Sequence, residues 1–357
     1  MKAIKGFASK FPILVLVGTV LGIVVGCGGA SMSTQSKTTS VTSADQITLQ
    51  GIAVNPSSSL VYATNEYTGQ LAQAFQGVVF NAATNTVEST ISGGAYSIGI
   101  GIDSARNLAY IANYDTGTVS VFNTTDNSLV TTIQVGSNPV SVAVNPITHT
   151  IYVSDNGGAG NYEIEAIDGF TNAVTAKVNI GLSPSGVAVD SKTNTVYAVD
   201  DSGLNSLVVI NGNTNTISAN VPLASYSSAI AVNSTTNRIY VANGSSNQLS
   251  ANTVDVIDGN TNTVVTTIPV GSNPVALAVN ETTNQVYVAN SNNVSVIDGA
   301  SNAVTSTISV GSAPTAIAVN TTSNTIYVTC NQPSSIVVIN GATGKVTTTV
   351  PVVIPTS

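Results

Sequence analysis

The chain has 357 residues and a formal net charge of −8, with 9 Lys and Arg against 17 Asp and Glu. So acidic a balance argues against binding nucleic acid, whose affinity depends on Lys and Arg at phosphates. One histidine and two cysteines leave no room for a His-rich copper or zinc cluster or a CxxCH haem attachment, and the mass of Thr, Asn, Ser and Val reads as an extracellular all-β protein.

In chain order, the first segment stands apart. Lys2, Lys5 and Lys10 lead into FPILVLVGTVLGIVV, which ends at Gly26-Cys27. A basic start followed by about 15 apolar residues is a secretory signal, too short and wrongly flanked for a membrane span. The small residue before Cys27, with Val24 upstream, resembles a bacterial lipobox. That resemblance implies a lipoprotein-type signal peptide over residues 1–26, with Cys27 as the lipidated first residue of an envelope-anchored protein. The alternative is an ordinary signal peptide cut near GGASMS, which leaves a soluble protein. Residues 27–46 hold Ser, Thr and Gly with almost no large apolar side chain, a tether that coils to about 25 Å. With Cys27 carrying a lipid, Cys330 has no disulfide partner, so the fold must rest on its core. Losing the three leader lysines leaves six basic residues against 17 acidic ones, a net of −11.

From residue 47 to 357 one unit recurs. Its most visible phrase is VYATN at 61–65, then AYIAN at 109–113, IYVSD at 151–155, VYAVD at 196–200, IYVAN at 239–243, VYVAN at 286–290 and IYVTC at 326–330. The tyrosines Tyr62 to Tyr327 are spaced by about 44 residues on average, the period of a four-stranded propeller blade. The copy from Val275 to Gly311 is the clearest: VALAVN, QVYVAN, NVSVID and AVTSTISV read as four strands, joined by turns rich in Asn, Asp, Gly, Ser and Pro. Nothing past the leader has helical periodicity. Ahead of each tyrosine strand, a small residue (Ala53, Gly101, Ala143, Ala188, Ala231, Ala278, Ala318) precedes a closing Asn or Asp by two positions. The small residues suit strands that converge on a central axis. The closing Asn or Asp, and turn starters such as Asp168-Gly169 and Asn340-Gly341, suit side-chain bonds to turn backbone. In I-Y-V-A-N the tyrosine and alanine point to one face of the strand, and the isoleucine and valine to the other. A slot repeated seven times is thereby expected to be a packing device rather than seven catalytic sites.

The YATN, YIAN, YVSD, YAVD, YVAN and YVTC phrases, with AVN before and IDG or ING after, resemble the YVTN family of β-propeller repeats over about residues 47–352. The resemblance implies an all-β, seven-bladed propeller of four-stranded antiparallel blades, in proteins of cell surfaces and periplasms. Cys330 departs from the pattern by standing in the Asn slot, and the first copy is irregular around NEYTGQLAQAF. The copies run from first to fourth strand with no spare strand at either end, so no strand exchange is expected to close the ring.

In such a blade the first-to-second and third-to-fourth turns share one face of the disc, and the other turns share the opposite face. The first set is uniform in length, from NPSSS to NTTSN; the second varies. The five tyrosines outside the repeat slot (Tyr67, Tyr96, Tyr114, Tyr162 and Tyr226) fall on the variable face with Glu66, Asp115, Asp155, Glu163, Asp200 and Asp201. No Lys or Arg is expected there, since Arg106, Lys192, Arg238 and Lys345 fall on the uniform face. A tyrosine-rich, anionic loop face on a rigid scaffold is the composition of a recognition surface for an envelope protein or a glycan; the alternative is ordinary solvated loops.

Chemistry is hard to find. His149 lies in a turn with no nucleophile in register, Cys330 fits a small buried substitute for Asn, and no EF-hand spacing supports calcium. The expectation is therefore a monomeric, lipid-anchored binding or scaffold propeller with no cofactor, no metal and no catalytic residue. Two other readings stay open: an extracellular lactonase or hydrolase using Asp155, Asp200 and Asp201, and a structural member of a surface layer.

Overall fold

A computed structural model describes residues 47–66, 76–94, 96–157, 161–200, 205–244 and 251–353. Of the residues singled out above, Cys27 with its leader and tether, Tyr67 and Asp201 lie outside these.

Among the described residues, twenty-eight strands make seven four-stranded antiparallel sheets, and within each sheet the strand order follows the chain. These are the blades of a seven-bladed propeller: residues 49–91, 97–134, 139–179, 184–222, 229–269, 276–309 and 312–351. Among the described residues the one non-strand element is a 3-10 turn, Tyr114–Thr116. The first strands touch one another around the ring, blade 7 against blade 1 included. In all seven blades the small residue is the direct cross-strand partner of the repeat tyrosine, from Ala53 opposite Tyr62 to Ala318 opposite Tyr327. A bulky ring needs a small neighbour where the sheets converge. At Gly101 even a Cβ would come within 2.9 Å of Val144 in the next blade.

The tyrosine slot builds the seams. Seven apolar clusters fill the seven junctions, and each contains one repeat tyrosine facing the next blade. Tyr287 and Ala289 pack on Ile326 and Val328, for example, while Val286 and Val288 face back toward Tyr240. The alternation of the IYVAN phrase therefore serves two seams at once. Each fully buried ring contributes about 1.5–3 kcal/mol, and burial raises the Tyr62, Tyr110 and Tyr197 phenols to about 12.

The ring closes without strand exchange. Tyr327, Ile336 and Val338 of blade 7 pack on Val61, Ala63 and Phe80 of blade 1, with Phe80 edge-on to Tyr327 at 6.1 Å between centroids. Asn331 then clasps the start of blade 1: its Oδ1 accepts from Leu49 N at 2.8 Å and its Nδ2 donates to Leu49 O at 3.0 Å.

On the uniform face the turn chemistry is the same in every blade. The Asn or Asp that closes the first strand accepts a turn N–H in all seven, as Asn145 Oδ1 does from Ile147 at 2.9 Å. The residue that closes the third strand does likewise in all seven. The residue entering the next strand sits in the left-handed region, and it is usually Asn (Asn107, Asn194, Asn237, Asn284, Asn324). Several of these reach the preceding blade, where Asn145 donates to Asn194, Asn233 to Asn284 and Asn280 to Asn324, each at 2.8 Å. His149 occupies this slot in blade 3, with φ of 56° and Nδ1 at 2.6 Å from Asp103 Oδ2. Its partner is thus the one the repeat prescribes for a blade-to-blade link.

Candidate recognition strip on the variable face

The variable face is built around the last residue of the tyrosine phrase. Asn65, Asn113, Asp155, Asp200, Asn243, Asn290 and Cys330 are all buried. Some secure the chain entering the blade: Asn65 Oδ1 accepts from Thr48 N at 3.0 Å, and Asp155 accepts from Ser137 N at 3.0 Å and Asn138 N at 2.7 Å. Asn243 and Asn290 instead bond the third strand of their own blade, at Thr253 and Ser295. Gly136 has to be glycine, because the Asp155 carboxylate lies 1.4 Å from where its Cβ would stand. Cys330 is buried, donates to Val310 O at 3.6 Å and has its thiol pushed up to about 11 by burial. It is a packing replacement for Asn rather than an exposed nucleophile.

At the seam of blades 2 and 3 the structure gathers charge. Asp155 is the cross-strand partner of Glu163, and Glu165 lies two residues deeper on the same side, opposite Lys177. One oxygen from each of Asp155, Glu163 and Glu165 falls within 4.8 Å of the others. Lys177 Nζ reaches Glu165 Oε1 at 2.7 Å and Glu163 Oε2 at 3.8 Å, while Glu165 Oε2 is buried without a hydrogen bond. Lys177 corrects the expectation that no basic residue would reach this face. It sits on the fourth strand of blade 3 (Ala173–Asn179), where alternation turns it toward the carboxylates. Burial raises the carboxyl of Asp155, against the pull of the Asn138 and Ser137 N–H groups. Burial likewise raises Glu165, against Lys177. Burial would lower Lys177, but Glu165, Glu163 and Asp155 outweigh it and hold its ammonium above the ordinary value. Three carboxylates at this spacing could ligate a hard cation, although an ammonium already lies among them.

At the seam of blades 1 and 2 the rings meet. Tyr96, at the entry to blade 2, stacks at a tilt of 44° on Tyr114 with 5.4 Å between centroids. Tyr114 N donates to Tyr96 O at 3.0 Å, so their backbones are joined as well. The Tyr96 hydroxyl donates to Glu66 Oε1, and Gln50 Nε2 donates to Glu66 Oε2. The hydrogen bond to Glu66, then burial and the nearby Glu66 and Asp115 charges, raise the Tyr96 phenol to about 12. Asn138 joins the two seams: its N–H binds Asp155 and its Nδ2 donates to Tyr114 O at 3.3 Å. Glu66, Tyr96, Tyr114, Asp115, Asp155 and Glu163 therefore form one strip across blades 1 to 3.

Other expected members lie elsewhere. Tyr162 packs against the apolar cluster between blades 3 and 4. Tyr226 stands half-buried in the turn between blades 4 and 5, and Asp200 is buried at the end of the tyrosine strand of blade 4. Sequence reasoning missed Glu165, Gln50, Asn138 and Lys177. Comparing third strands between copies would have found Glu165, whose slot holds Val78, Ser120, Val208, Asp255, Ser295 and Val337 in the other blades. Concavities of about 260 and 340 Å³ involve blade 7, at its seam with blade 1 and beside Cys330, rather than the strip.

No protein-family model matches the chain, and no curated protein matches it either. Among solved structures it is similar to a chain of Kuenenia stuttgartiensis hydrazine synthase, with a TM-score of 0.73 and 16% identity over 85% of this chain and 98% of that one. At that identity the likeness concerns the fold alone.

Proposed function

We propose that this protein is a recognition and scaffold propeller of the YVTN type, held to a bacterial cell envelope by a lipid on Cys27, which captures a partner on the variable face of blades 1 to 3. The observation that carries the reading is the strip in which half-buried Tyr96 and Tyr114 lie beside the accessible carboxylates Glu66, Asp115 and Glu163, on a ring whose opposite face spends its polar side chains on its own turns and on links between blades. Rings held by their backbone give contact area at low entropic cost, and the closed seams beneath them keep the strip rigid. A hydrolytic role has less support from the same geometry, since Asp155 already gives both oxygens to backbone N–H groups.

The test is an affinity capture from envelope extract, with residues 28–357 as bait beside a Tyr96→Ala/Tyr114→Ala bait. A partner retained by the first and lost by the second supports the reading. Equal recovery by both baits overturns it. In cells, Cys27→Ala should move the protein from the detergent phase to the aqueous phase; if it does not, the lipid anchor is wrong.

A further inference from the structure

The two seams of the strip differ in one respect. At blades 2 and 3 the carboxylates hold an ammonium from the chain itself, Lys177. At blades 1 and 2, Glu66 and Asp115 make no ion pair among the described residues. Glu66 is instead fixed by two neutral donors, the Tyr96 hydroxyl and the Gln50 amide. Its negative charge is thus immobilised without being neutralised, behind a pair of aromatic rings. Tyr96 is held there at φ of 53°, an uncommon conformation for a bulky side chain and one that tends to persist where it aims a group.

Resting on the recognition reading above, we propose that the Tyr96–Tyr114 pair, with Glu66 behind it and Asp115 beside it, binds a basic side chain of a partner polypeptide. A lysine or arginine lays its stem along the rings, with its charged end over a ring face and within reach of both carboxylates. Ring faces attract cations, most strongly when water is excluded. The hydrogen bonds also separate this ligand from a sugar. Glycan hydroxyls need carboxylate lone pairs at set angles, and one on each Glu66 oxygen is already taken by Tyr96 or Gln50. A cation needs only the field. Lys177 shows the complementary arrangement one seam away, where a lysine reaches to the paired strand and its ammonium settles on two glutamates.

The test uses dye-labelled acetyl-pentalysine amide, read by anisotropy at about 50 mM salt so that charge is incompletely screened, with chitohexaose as neutral competitor. Saturable binding is expected, weakened by about tenfold in Tyr114→Ala and in Glu66→Gln, and unchanged in Asp126→Asn, which removes one charge from the uniform face. Tyr96→Phe keeps the ring and should retain most of the binding; circular dichroism checks that each variant is folded. The proposal is overturned if the peptide does not bind saturably, or if Asp126→Asn weakens it as much as Glu66→Gln, which would make the attraction diffuse. Chitohexaose competing through Tyr114 would also overturn the cation, while leaving the recognition face standing. Failure of the face itself would show instead as equal capture by the two baits.

Discussion

The two rims of the propeller use the same residue types to opposite ends. On the uniform rim, the carboxylates of the third-to-fourth turns, Asp168 and Asp298 among them, reach solvent and accept local hydrogen bonds. Asp168 is held below its ordinary value by the Thr171 and Phe170 N–H groups, and Asp298 by the N–H of Ala300 and the hydroxyl of Ser301. On the variable rim, Asp155 and Glu165 are buried and pushed up. A side chain engaged in shaping its own turn has little left for a partner. Under the opposite rim Glu165 is surrounded by groups from other strands and keeps one oxygen without a hydrogen bond. The same backbone repeated seven times can thus make one rim structural and leave the other free to differ from blade to blade.

The largest effect that sharpens this contrast belongs to the seams. Tyr152→Ala should cost about 3–5 kcal/mol in denaturant unfolding, since it empties a buried ring from the junction of blades 3 and 4. Tyr114→Ala, half-buried on the strip, should cost less than a third of that. Comparable losses would mean that the strip tyrosines are part of the core after all.

Next comes Lys177→Met. It leaves Glu165, with no exposed side-chain surface, without a cation that is itself 46% exposed, a loss of about 1–2 kcal/mol. Lys177→Met/Glu165→Gln should recover most of it. A single variant as stable as the wild type would show that the pair is solvated and not a buried feature of the seam.

The smallest effect is in pH dependence, and its sign separates the rims. Glu165 has a folded value above its ordinary 4.5, so over the window from 4.5 up to that raised value the native state holds more protons than the unfolded chain. Stability there falls as pH rises. Asp168 and Asp298, lowered from 3.8, act the other way: their contribution is present above 3.8 and is lost as pH falls below it. Glu165→Gln should therefore flatten the decline above pH 4.5 and leave the loss in acid untouched. An unaltered profile would remove Glu165 from the titrating groups of the seam.

Much of this was readable from the chain. The tyrosine slot, its small cross-strand partner and the Asn or Asp at each turn are local devices, so period and alternation alone determined seven four-stranded blades and the packing role of Tyr62 to Tyr327. The split between a uniform and a variable rim followed from loop lengths for the same reason. What the tertiary structure decided involves residues distant in sequence. Glu66 meets Tyr96 across 30 positions, and Asn331 clasps Leu49 across 282. Tyr162 reads like Tyr96 in the sequence, yet it opens the third strand of blade 3 and packs on the cluster between blades 3 and 4. Glu165 and Lys177 sit in strands whose direction can be read from alternation, but their approach to Asp155 depends on the register between three strands. Repetition encodes what every blade shares; which side chains converge on the variable rim is set by how adjacent blades are brought together, and no single repeat contains that.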